Sequence, residues 1–260
     1  MLASAAGLAM FVWPLLWHHG GQSAHRLDAP FVFILIVPVL IAVVIAELSA
    51  GGMDAKALAM LGVLSALGAA LRPIGAGTAG IETVFFVLVL AGRVYGAGFG
   101  FVLGATTLFA SALLTGGVGP WLPFQMLGAA WVGMGAGLLP KATGRTELAL
   151  LAVYGAISAY AFGFLLNLFF WPFTTGVGGS SVAFLPGAAV ATNLHRFMLY
   201  CLATSTWGWD TGRALTTVVA ILLVGSPLLL AMRRSARRAA FDEAVRFTPS
   251  LQPVGVETGR

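Results

Sequence analysis

Long apolar runs alternate with short breaks that carry charge or are rich in Gly and Pro along most of this chain. A helix needs roughly 17–25 mostly apolar residues to cross the hydrocarbon core of a bilayer. Eight stretches approach that pattern: 1–17, 31–49, 56–72, 74–92, 96–115, 121–139, 147–171 and 211–232. The pattern predicts an all-α integral membrane protein with about eight transmembrane helices. Two spans carry helix breakers. The second contains Pro38, and the fourth opens with "IGAGTAG". Backbone groups freed at such points must be satisfied by protein or by cavity water. The Gly-rich opening leaves few firmly helical residues at the start of the fourth span, and a short or broken membrane helix often borders a binding site.

Composition strengthens the membrane reading. Of 260 residues, 59% are hydrophobic and only 9% charged, against about 25% charged in an average soluble domain. The excess apolar surface is expected to face lipid. The N-terminus "MLASAAGLAMFVWPLLW" has neither a basic leading region nor a clear cleavage site, which favours a retained first helix over a signal peptide.

The net charge of +5 owes most to the run "RRSARR", with Arg233, Arg234, Arg237 and Arg238 directly after an apolar span. Arginines so placed hold a helix end on the cytoplasmic side and touch anionic lipid. This reading fits better than nucleic-acid binding. The positive-inside rule also arbitrates a ninth apolar run, 187–206, which contains His195 and Arg196. With both termini inside and eight spans, Lys56, Arg93, Lys141, Arg145 and the tail arginines fall on the inner side. If 187–206 also spanned, "RRSARR" would lie outside. The run is therefore expected to lie along, or dip into, the outer face. The tail 233–260 reads as a basic cytoplasmic segment, helical at first and disordered over "TPSLQPVGVETGR".

Candidate chemistry is sparse. Cys201 is the single cysteine, so no disulfide forms within the chain. His18, His19 and His25 read as interfacial histidines, with a weak metal site as the alternative, and no cofactor is expected. No G-x-x-x-x-G-K-[ST], G-x-S-x-G or H-E-x-x-H pattern occurs, and no paired-carboxylate motif, so nothing in the motifs supports an enzyme.

The polar groups that remain gather at the outer ends of the spans. Arg72 closes the third, Glu82 lies a few residues into the fourth, Trp121 and Gln125 open the sixth, and Asn167 and Trp171 close the seventh. Asn193, Arg196 and Asp210 sit in the outer segment before the last span. Trp121/Gln125 and Asn167/Trp171 are each four residues apart, hence on one helix face. An aromatic ring beside an amide suits a ligand with a flat body and hydrogen-bonding edges. Each Trp also fits the interfacial aromatic belt. Arg72 either snorkels or pairs with Glu82 across the Gly-rich turn, and Asp210 can pair with Arg196 or Arg213. Small residues recur at helical spacing as well: Ala66 with Ala70, Gly100 with Gly104, and Gly128, Gly133 and Gly137. They allow close helix packing, within the chain or against another subunit.

The run "FVLVLAGRVYGAGFGFVLGATTLFASALLTGGVGPWLPFQMLGAAWVGMGAGLLP" resembles the substrate-binding S component of energy-coupling factor (ECF) type ABC vitamin transporters. The resemblance extends over 56–232 in the order of its features: a small-residue helix, "AG-x-x-x-G" between two spans, a Gly/Pro loop and a "W-x-x-F-Q" helix. It implies a six-helix membrane domain over 56–232, preceded by an extra helix pair over 1–55 that departs from the family pattern. It implies no enzymatic activity, and a vitamin or related micronutrient bound near the outer face. The partners implied are a membrane coupling subunit and a pair of ABC-type ATPases, docked through an Ala-xxx-Ala face, here Ala66 and Ala70. "PIGAGTAG" and "TGGVGPW" occupy the positions of ligand-gripping outer loops. The alternative is a stand-alone secondary transporter or channel for a small polar solute, which calls for an ionisable relay near mid-membrane.

Overall fold

The computed structural model describes residues 7–8, 11–12, 55–75, 80–173, 181–185 and 187–240. Most of the N-terminal pair over 1–55, the histidines His18, His19 and His25, and the tail beyond 240 lie outside the described residues. Seven α-helices are described: α1 Ala55–Leu71, α2 Phe85–Tyr95, α3 Ala97–Thr115, α4 Leu122–Leu138, α5 Gly144–Phe170, α6 Val190–Cys201 and α7 Thr211–Ala240. No strand occurs among the described residues. Four helical stretches are long and apolar enough to cross a membrane: Ala55–Gly75, Ala97–Thr115, Gly144–Phe170 and Val190–Arg237. This is the make-up of an α-helical membrane protein.

Glycines set how closely α2, α3 and α4 pack. A side chain on Gly133 would strike the backbone of Gly100, and one on Gly104 would strike the backbone of Ala129. Gly92 likewise abuts the Gly133 carbonyl, and Gly137 the backbone at Ala97. The small-residue spacing of these helices therefore serves contacts within the chain, where backbones approach to van der Waals distance. Around this seam lies an apolar core that includes Leu88, Leu90, Leu103, Leu108 and Phe124, all almost fully buried. Phe11, in the first apolar run, is buried against Phe124 and Trp131 of α4 at ring distances of 5.1 and 5.6 Å. α7 enters the core along Arg213, Thr217, Ile221, Gly225 and Leu229, one residue per turn, while Leu215, Leu222, Leu223 and Leu230 face outward.

Two segments differ from the sequence expectation. Among the described residues of the fourth span, expected over 74–92, the α-helix runs only over Phe85–Tyr95. Before it lie a 3-10 turn, Arg72–Gly75, and non-helical backbone over the described residues 80–84. Glu82 thus belongs to a connection and not to a membrane helix. Thr83 Oγ1 donates to the Leu71 carbonyl at 2.7 Å, which ties this connection to the end of α1. Gly80 has φ +78° and sits directly on the backbone of Trp209, so the position excludes a side chain twice over. The run 187–206 forms α6, which buries Asn193, Phe197, Tyr200 and Cys201 on one face and exposes Leu194, Met198 and Leu199. Its helix does not stop there. It continues as π-helical turns over Leu202–Asp210 straight into α7. The whole stretch is much longer than the roughly 20 residues one crossing uses.

The alternation of helices places the described charges at two opposite ends. At one end are the close of α2, the α4–α5 connection, the start of α5 and the late part of α7. There the buried Glu147 accepts from Arg93 Nε at 2.7 Å and Arg233 Nη2 at 2.6 Å. Arg93 Nη1 also donates to the carbonyls of Leu139 and Pro140 at 3.0 and 3.1 Å. At the other end are the close of α1 and α3 and the starts of α4 and α7, where the remaining polar groups meet.

Candidate functional site

A cavity of about 330 Å³ opens at this second end. It lies between the close of α1, the Gly80–Glu82 segment, the close of α3 and the start of α7. Its polar walls are Arg72, Glu82, Ser111, Thr115 and Arg213, and Trp209 and Ile81 supply apolar surface. Such a volume is at the low end of the range of about 300–1,000 Å³ common for small-molecule pockets.

Arg213 is the pivot of the charges. Its side chain is buried between the rings of Phe85 and Phe162, with the guanidinium carbon 5.4 and 5.0 Å from the two centroids. Arg213 Nε donates to Glu82 Oε2, and Nη1 donates to Asp210 Oδ1 at 3.1 Å. A cation at this depth needs charge partners and hydrogen bonds to offset lost solvation. The two carboxylates meet that need.

Arg72 is held differently. Its Nη2 donates to Gln125 Oε1 at 3.2 Å and its Nη1 to Ser111 Oγ at a long 3.5 Å. Glu82 Oε1 lies 3.8 Å from Arg72 Nε, an ion-pair distance beyond hydrogen-bond length. That Nε is buried and finds no hydrogen-bond acceptor among the described residues.

From Asp210 the contacts run on into α5. Ser205 Oγ donates to Asp210 Oδ2 at 2.8 Å, and Asn167 Nδ2 donates to Ser205 Oγ at 2.6 Å. Gly163 of α5 makes room for the Asp210 carboxylate, since a Cβ there would overlap it. The π turns bring Ser205 and Asp210, five residues apart, onto one face. One continuous polar chain therefore joins Asn167, Ser205, Asp210, Arg213, Glu82, Arg72 and Gln125 across α5, the π turns, α7, the Glu82 segment, the 3-10 turn after α1, and α4.

The sequence-predicted residues divide accordingly. Arg72 and Glu82 line the cavity, Gln125 and Asp210 hold its two arginines, and Asn167 ends the polar chain through Ser205 and Cys201 Sγ, the latter at 3.5 Å. The others lie apart from the cavity. Trp121 is substantially exposed, and its indole N–H donates back to the Gly117 carbonyl at 3.2 Å. Trp171 is fully buried, donates to the Val182 carbonyl at 2.7 Å and packs on Phe184 and Phe197. Asn193 bonds both the N–H and the carbonyl of Leu185, and Arg196 Nε donates to the Ala183 carbonyl at 2.7 Å. These three fasten the 181–185 segment onto α5 and α6. The pairing of Asp210 is with Arg213. Sequence reasoning left Arg213, Ser111 and Trp209 out of the site, while Thr115 opens the "TGGVGPW" loop expected to grip a ligand. Arg213 had a visible signal: it is a charge two residues into an otherwise apolar span. Ser111 carries no such signal.

No group of three metal-binding side chains occurs among the described residues. On α1, Ala66 and Ala70 are exposed on the face that also carries Gly62. The fold and site together define an all-helical, membrane-type chain with a small charged cavity at one end. No protein-family model, curated protein or solved structure matches it.

Proposed function

We propose that this chain is the substrate-capture subunit of an ECF-type ABC importer. It binds a vitamin-like micronutrient at the outer face and delivers it inward when docked on a membrane coupling subunit with two ATPases. The observation that carries the reading is the cavity walled by Arg72, Glu82 and Arg213, at the end that the positive-inside rule assigns to the outside. Six of the described helices, α1–α5 and α7, follow the order that the resemblance implies. In this scheme the exposed Ala66/Ala70 face of α1 meets the coupling subunit, small residues permitting close approach in lipid. The arginines at the end of α7 rest on anionic lipid at the inner face.

A secondary transporter is less well supported. The described carboxylates Glu82, Glu147 and Asp210 all belong to one or other of the two charged clusters, with Leu88, Leu90, Leu103 and Leu108 in the apolar core. The test is co-purification. Wild-type protein expressed with the coupling subunit and ATPase pair of its own genome is expected to purify as one complex. The double variant Ala66→Trp/Ala70→Trp should lose the partners yet keep its melting temperature, because both positions are exposed. A wild-type chain that never associates with an ATPase pair overturns the proposal.

A further inference from the structure

Two guanidiniums and one carboxylate line the cavity, and their bonding is unequal. Arg213 has both Asp210 and Glu82. Glu82 commits one oxygen to Arg213 and stands off from Arg72 at 3.8 Å. Arg72 is left with two long bonds to neutral oxygens, from Gln125 and Ser111, and with a buried Nε that has no acceptor among the described residues. A guanidinium carries five donors in a planar fork that matches a carboxylate two to one, at distances of about 2.7–2.9 Å. Among the described residues, Arg72 is thus the cavity's guanidinium that lacks a carboxylate at hydrogen-bond distance, the nearest being Glu82 Oε1 at 3.8 Å. The lining also has an apolar and aromatic part, from Ile81 and Trp209.

We infer that the ligand of this cavity carries a carboxylate, received by Arg72, on a small apolar or aromatic body that rests against Trp209 and Ile81. The inference builds on the capture-subunit reading and names the class of solute. Glu82 then has a second role. With the cavity empty it is the nearest anion to Arg72, and an incoming carboxylate competes with it for the same guanidinium. Arg213, held from behind by Asp210, keeps Glu82 within reach but off Arg72, and Gln125 positions the Arg72 fork. The cavity volume suits a compact solute and not a large macrocycle.

The experiment uses the full-length chain in detergent. Thermal unfolding is followed against matched acid, amide and amine forms of one body: benzoate, benzamide and benzylamine, then indole-3-acetate, indole-3-acetamide and tryptamine. Charge-assisted hydrogen bonds imply that the acids bind roughly ten- to a hundredfold more tightly than the amides. Glu82→Gln should tighten acid binding further by removing the competing carboxylate. Arg72→Gln should abolish the acid–amide difference. Amides or amines that stabilise the wild-type chain as well as the acids overturn the inference. So does an acid series without effect, or a Glu82→Gln variant that weakens acid binding. The acid–amide contrast in the unmodified chain stands even if a variant fails to fold. Acid selectivity in a chain that recruits no ATPases would leave this inference standing and remove the capture-subunit reading. Amine selectivity in a chain that does recruit them would do the reverse.

Discussion

Arg72 reaches Gln125 across 53 positions of sequence, and this one bond separates two residues that look equivalent in the chain. Gln125 and Trp121 are four apart at the start of α4, yet only Gln125 touches a wall of the cavity. Trp121 folds back on its own loop through the Gly117 carbonyl. Gln125→Ala should therefore weaken binding of a cavity ligand severalfold, because the Arg72 fork loses its shorter hydrogen bond. Trp121→Ala should leave affinity unchanged. Isothermal titration with whichever solute stabilises the chain checks both. Equal losses in the two variants would mean that the Trp121 side of the loop also contacts ligand. The spacing of four places both residues on one face, but a hydrogen-bond partner outside α4 decides which of them is tied to the cavity wall.

At the scale of helices, packing of α2, α3 and α4 depends on backbone-to-backbone contact at glycine. Gly133→Val puts a branched side chain into the backbone of Gly100. The expected loss is at least the roughly 1–3 kcal/mol typical of overpacking, read as a lower melting temperature in detergent. Gly62→Val on α1 is the control. A Cβ there meets nothing within 4 Å, so little change is expected.

Helix positions were largely legible in the chain. The expected 56–72, 96–115 and 121–139 correspond to Ala55–Leu71, Ala97–Thr115 and Leu122–Leu138, because the length of an apolar run and the breaks beside it are local properties. The 74–92 span was not legible in the same way. Its described residues 80–83 are not helical: the Thr83 bond to Leu71 and the seat of Gly80 on Trp209 hold them in another conformation. Both contacts come from partners outside the segment. Likewise, the amphipathic face of 187–206 forms a helix, while its continuation through π turns depends on where Ser205 and Asp210 must point.

For the whole molecule, orientation in the membrane is the main expectation. Replacing Cys201 by Ser gives a cysteine-free background. Val118→Cys, at the exposed loop beside the cavity, should react with a membrane-impermeant maleimide on intact cells. Lys141→Cys, exposed at the opposite end, should react only after permeabilisation. The reverse pattern would put the cavity inside and end the capture-subunit reading. The sequence by itself determined that the chain is helical and membrane-like, and where most of its helices run. These follow from the composition and length of contiguous segments. Only the tertiary structure decided that Arg213 joins Glu82 to Asp210, that Arg72 Nε finds no acceptor among the described residues, and that Trp171, Asn193 and Arg196 bond the 181–185 segment. Which donor meets which acceptor is set by helices packing across long stretches of chain, and no local pattern encodes it.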